Sequence, residues 1–269
     1  MSTFETRVND KIGSFTDTTA LSDFLTAGAK YFVNILPPHR LEKFTTNLTD
    51  GGSGISVVAY RVFSANKSGY GARRVPQELS AQVANSSSIH YAGSTDPAWY
   101  ILNGLAYVKP SGGTVVAMAY PSVLYTDSTI TAFPADLDEG VVLYACIQGR
   151  LRQMSDLTIT TLGGLSISTI TPPTAPAAIS ISYTNTDTAL TNQDIELASG
   201  HLNKVQTQIS EYDAQLKLFS SELGLYSAEV QTEMSRVSTL INQYNSQYQQ
   251  LNSGLVVLKQ EFNDFLKSI

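Results

Sequence analysis

From about residue 195 to the C-terminus, apolar residues recur at alternating steps of three and four, which predicts a long helix whose apolar stripe must be covered. The stripe runs Ile195, Ala198, Leu202, Val205, Ile209, Tyr212, Leu216, Phe219, Leu223, Tyr226 and Val230. It then admits Glu233, resumes at Val237, Leu240 and Tyr244, and takes one extra four-residue step to Tyr248. Leu251, Leu255, Leu258, Phe262, Phe265 and Ile269 complete about ten heptads with a single stutter, which loosens a supercoil locally without ending the helix. No proline follows Pro176, so the segment can form one rod of roughly 110 Å; Gly200, Gly224 and Gly254 are weak points where a fold-back hairpin is the alternative.

A helix of this length cannot bury its own seam. It must pair with copies of itself, with a partner, or with its own other half. Self-association is expected, through an oligomer interface of Leu202, Val205, Ile209, Tyr212, Leu216, Phe219, Leu223, Tyr226, Val230, Leu251, Leu255, Leu258, Phe262 and Phe265. The flanking positions carry Gln, Asn and Ser, so ion pairs along the seam contribute little to partner choice.

Upstream, Val8, Ile12 and Phe15, then Leu21, Phe24, Leu25, Phe32, Val33 and Leu36, mark two helices, the second stopped by Pro37-Pro38. After Gly51-Gly52-Ser53-Gly54 the period becomes strand-like over residues 55–63. Pro76 to Ala84 can form a short helix. Asn103-Gly104 joins two apolar runs, 99–102 and 105–108, as a type I′ hairpin, and 113–120 adds a third strand of a small antiparallel sheet. Helical pattern returns from Pro134 to about Met154, with Asp136, Asp138 and Glu139 in its first turn, where they are expected to cap.

The predicted class is therefore α+β: a helical-bundle core at 1–154 with an antiparallel β insertion at about 51–132, then a long C-terminal coiled-coil helix or hairpin at 187–269. Between them, 155–186 is rich in Ser, Thr, Ile and Pro and is expected to be an extended linker or arm; alternating stretches at 165–168 and 179–182 could instead add strands to a neighbour's sheet.

The search for chemistry returns little. His39, His90 and His201 lie in three different segments without a second ligand at metal spacing, and no phosphate loop, nucleophile elbow or triad pattern occurs. Cys146 lies in an apolar run and is expected to be a buried thiol. No catalytic residue, cofactor or metal is expected. A net charge of −6, with one small basic cluster from Lys67 to Arg74, argues against broad nucleic-acid wrapping. Trp99, Tyr100, Tyr107 and Tyr120 could form a stacking platform, but cross-strand aromatic pairs that stabilise a sheet are the expected role. The N-terminus lacks the charged-then-apolar order of a signal peptide, and no stretch reaches the ~18 apolar residues of a membrane span.

Three segments together carry a family resemblance. They are Phe24-Leu25-Thr26-Ala27-Gly28-Ala29-Lys30 running to Leu36-Pro37-Pro38, Asp96-Pro97-Ala98-Trp99-Tyr100-Ile101-Leu102-Asn103-Gly104 running to Val108-Lys109-Pro110, and Tyr120-Pro121 with Phe133-Pro134-Ala135-Asp136-Leu137 leading into Val141-Val142-Leu143-Tyr144-Ala145. Over about residues 1–158 the chain resembles virion structural proteins of tailed bacteriophages, above all the head-to-tail adaptors (connector or neck proteins) of phages of marine bacteria and cyanobacteria. The resemblance implies a ring, typically of twelve copies, placed in the virion between the portal and a tail or nozzle protein, with DNA passing through its channel without sequence-specific binding. It implies no catalytic residues. The long C-terminal helix departs from the compact adaptor pattern, and a trimeric tail fibre or receptor-binding protein with a coiled-coil stalk is the competing expectation.

Overall fold

The computed structural model describes residues 2–158 and 170–269. The chain divides into two compact units, one made of Met1–Asp156 with Gln249–Ile269, the other of Leu157–Tyr248. The fold is mixed α+β, and the last turns of the C-terminal helix belong to the first unit.

In the first unit, α1 (Phe4–Ile12) begins at Thr3, whose hydroxyl accepts the Thr6 N–H, and α2 (Thr18–Ile35) at Asp17, whose carboxylate accepts the Ala20 N–H at 3.0 Å. Pro37 and Pro38 end α2 as expected, and α3 (Pro38–Leu41) follows at once. The open carbonyls at the end of α2 are taken by a cation: Arg61 donates through Nη1 to Val33 O and, at 2.6 Å, to Leu36 O. After the β region, a 3-10 turn at Ala135–Leu137 leads into α5 (Asp138–Asp156). Phe4, Val8, Leu21, Leu25, Phe32, Leu137, Val141 and Val142 are fully buried together. Two glycines permit the close helix packing. A Cβ at Gly28 would meet Tyr144 at 3.1 Å, and one at Gly140 would stand 2.5 Å from Phe32 and collide with Phe265.

The β region is two four-stranded sheets, not the single small sheet expected. Its strands are β1 (Thr46–Thr49), β2 (Ile55–Ser56), β3 (Tyr60–Lys67), β4 (Tyr70–Gly71), β5 (Arg73–Arg74), β6 (Ala98–Leu102), β7 (Leu105–Lys109) and β8 (Thr114–Ala119). One sheet has the order β1-β8-β3-β4 and the other β2-β7-β6-β5; all pairs are antiparallel except β5 with β6. The hairpin at Asn103-Gly104 forms as expected, with φ of 51° and 75° at the two turn residues. The third strand, however, leaves the hairpin and joins the other sheet, between β1 and β3.

The cause is burial. Val115 and Ala117 on β8 and Trp99, Ala106 and Val108 on the hairpin are all inward-facing, and two facing sheets cover both sets. The outer side of the hairpin, with Ala98 and Tyr100, is covered by Val75, Ala92 and Val83, the last on α4 (Ser80–Ala84). On the other sheet, Met118 turns outward into the helical core.

In the second unit, residues 170–183 have no regular structure, so Ile179–Ser182 forms no strand; the expected alternation at 165–168 lies outside the described residues. A short helix, α6 (Thr184–Thr191), stands where linker and coiled coil were expected to meet. A break at 192–194 follows, and Asp194 caps the next helix by accepting the Leu197 N–H at 2.9 Å. That helix, α7 (Ile195–Ser268), is a single element of 74 residues, and none of its three glycines turns it back into a hairpin.

Candidate assembly surface

The heptad stripe of α7 is divided by what covers it. At its C-terminal end Leu255 and Leu258 are each 5% exposed and belong to the helical core, against which Phe262, Phe265, Leu266 and Ile269 also pack. Phe262 meets Phe32 edge-to-face with centroids 6.0 Å apart, and Phe265 does the same at 5.9 Å. Leu251 is half-buried. Leu255, Leu258, Phe262 and Phe265, expected at an oligomer interface, pack into the helical core of their own chain. A shorter cover was available, because the helical core already offered an apolar groove floored by Gly140.

Upstream the stripe is open between Leu202 and Val230, while Ala198 and Leu240 on either side are buried. Leu202, Leu216 and Leu223 are 50%, 40% and 48% exposed, while Val205, Ile209, Tyr212, Phe219, Tyr226 and Val230 are only half-buried. The extra four-residue step at Tyr244–Tyr248, where the two rings stack 6.3 Å apart, falls at the boundary between the units. Burial does not change sharply there: Leu240, before the step, is buried, and Tyr248, at its end, is exposed.

One seam position is charged. Glu233 receives a two-pronged bond from Arg236, Nε at 2.9 Å and Nη2 at 2.6 Å. Beside it an apolar groove of about 430 Å³ is walled by Val230, Met234, Val237 and Ile241 of α7 and by Ile170.

The groups weighed for chemistry are occupied structurally. Asp136 pairs with Arg40, and Glu139 with Arg7 at 2.9 Å and Lys11 at 3.1 Å, so these carboxylates tie α5 to α1 and the 3-10 turn before it to α3. Burial raises the Glu139 pKa, but the bonds from Arg7 and Lys11 outweigh it and hold the carboxyl below its usual range. Asp138 is the opposite case. It is 8% exposed, its Oδ1 has no partner, and burial pushes its carboxyl up against the pull of Arg7. It lines a cleft of about 390 Å³ with Ser2, Arg7, Ser128 and Thr129.

Cys146 is fully buried, and burial pushes its thiol up to about 12, which removes it as a nucleophile at neutral pH. In the basic cluster, Lys67 bonds Ser111 O at 2.6 Å, Arg73 pairs with Asp96 at 3.1 Å, and Arg74 lies over Trp99. Tyr100 and Tyr107 stack at 5.3 Å as a cross-strand pair, Trp99 is inside the sandwich, and Tyr120 bonds Asn34 at 2.9 Å. Among the described residues no three His, Cys, Asp or Glu side chains converge to hold a metal ion, and no helix is long and apolar enough to cross a membrane.

Apart from the glycine run beside it, no sequence signal pointed to Asp50, which is fully buried between Thr49 and the Gly51–Gly54 turn. Its carboxylate accepts the N–H groups of Gly52 at 2.7 Å, Gly54 at 3.1 Å and Val108 at 2.9 Å. No protein-family model matches the chain, and a search of curated proteins finds no match.

Proposed function

We propose that this chain is a virion structural protein that acts by self-assembly, joining the portal of a tailed-phage head to the tail as an oligomeric ring around the DNA exit channel. The open seam of α7 carries this reading, because a row of half-exposed Leu, Val, Ile, Tyr and Phe on one helix face needs a partner surface. The adaptor-like segments of the first unit supply the station in the virion. A net charge of −6 suits a channel through which DNA slides without sticking.

A trimeric tail fibre or receptor-binding protein is the second reading. It is favoured by the narrowness of the open stripe, since a closed stalk needs one seam per helix whereas a wide ring needs two. Native mass spectrometry with particle imaging of the purified full chain separates them. A ring of about twelve copies is the expected result; a stable trimer with a rod transfers the chain to the fibre class, and a monomer at every concentration overturns both.

A further inference from the structure

We infer that the cleft at the first turn of α5 is a binding site for a primary ammonium group, held by the carboxylate of Asp138. This does not depend on the self-assembly proposed above. Asp138 is 8% exposed, and its Oδ1 is buried with no hydrogen-bond partner. Ser128 and Thr129 line the same cleft, and their hydroxyls have no partner among the described residues. A buried carboxylate without a partner costs stability, so its place in the fold calls for a donor from outside the chain. The start of α5 favours a negative charge through its dipole but does not supply that donor.

The surrounding charges decide the sign of the ligand. Asp136, Asp138 and Glu139 line the cleft against a single guanidinium, that of Arg7. Arg7 and Lys11 are spent on Glu139, and Arg40 on Asp136. Arg7 acts on Asp138 only through space, and its pull is weaker than the upward push of burial on that carboxyl. An anion would meet like charge here and no unspent cation, whereas a cation brings the missing donor. Among the described residues no three His, Cys, Asp or Glu side chains converge to hold a metal ion, and the cleft, at about 390 Å³, falls in the ~300–1,000 Å³ range of small-molecule sites. An ammonium is the compact organic cation, with three donors for one recessed carboxylate oxygen and two hydroxyls; a guanidinium presents a wider planar fork. The ammonium belongs either to a free alkylamine or to a lysine side chain of a second copy.

The test titrates butylammonium chloride into the full chain and follows binding by calorimetry, with tetramethylammonium chloride as the control that carries the same charge but no N–H. Saturable binding of butylammonium alone is expected, weakened roughly tenfold or more by Asp138→Asn, which removes the charged acceptor. Equal responses to the two cations, no response to either, or undiminished binding in D138N overturns the inference. Native mass spectrometry along the same titration separates the sources. Butylammonium that lowers the number of copies in an oligomer assigns the site to a lysine of a second copy, and binding at unchanged mass assigns it to a free alkylamine. Without any ligand, D138N should raise the urea midpoint, because a charge with no partner has been removed. A lowered midpoint, or a variant that does not fold, shows that the carboxylate is already satisfied within the chain and overturns the inference as well.

Discussion

Asp50 ties together three backbone amides that no strand pairing reaches, and so closes the turn that carries β1 into β2. A buried N–H without a partner costs about 1–3 kcal/mol, and bonds to a charged acceptor lie toward the upper end of that range. Asp50→Asn keeps the shape but turns one acceptor into a donor that faces the Val108 N–H. Its expected effect is a loss of about 2–3 kcal/mol, read as a lower urea midpoint with an unchanged slope. A loss below ~0.5 kcal/mol would mean that the turn closes without the carboxylate. At the same scale Arg61 and Glu139 work by reach: each sits on one element and bonds the end or face of another, so neither role can be read from its neighbours in the chain.

At the scale of elements, α7 is one helix with two environments. Leu255→Ala should leave a cavity in the packed helical core and cost about 2–5 kcal/mol. Leu216→Ala, measured at a dilution where the chain is monomeric, should cost less than ~0.5 kcal/mol because that side chain faces water, yet it should weaken self-association. Equal losses in thermal unfolding of the two variants would show that the seam is not divided. Both leucines occupy seam positions, one on each side of the stutter, so the heptad pattern could mark the stripe but not the difference between its ends. The β strands carry a similar ambiguity. Alternation placed Val115 and Ala117 on one face of β8, but the strand's partners depended on which apolar face needed cover.

For the whole molecule, the consequence is that the first unit is discontinuous in sequence, with residues 249–269 returning to complete its core. Deleting 249–269 removes Leu255, Leu258, Phe262 and Phe265 together. At ~1.5–3 kcal/mol for each buried side chain this approaches the ~5–15 kcal/mol that holds a whole domain folded. The expected outcome is loss of the cooperative thermal transition of the β and helical core, followed by near-ultraviolet circular dichroism; an unchanged transition would show that the returning turns are dispensable. The sequence alone determined the α+β class, both N-terminal helices and their proline stop, the Asn103-Gly104 hairpin, and a long heptad-patterned C-terminal helical region with its stutter, because each depends on local backbone preference or on a short repeat. Only the tertiary structure decided that α7 is one helix and not a hairpin, that β8 crosses to a second sheet, that the acidic residues leading into α5 pair with α1 and α3, and that the last heptads of α7 fold onto their own chain. Those outcomes are settled by which surfaces meet between segments distant in the chain, and no local period encodes that.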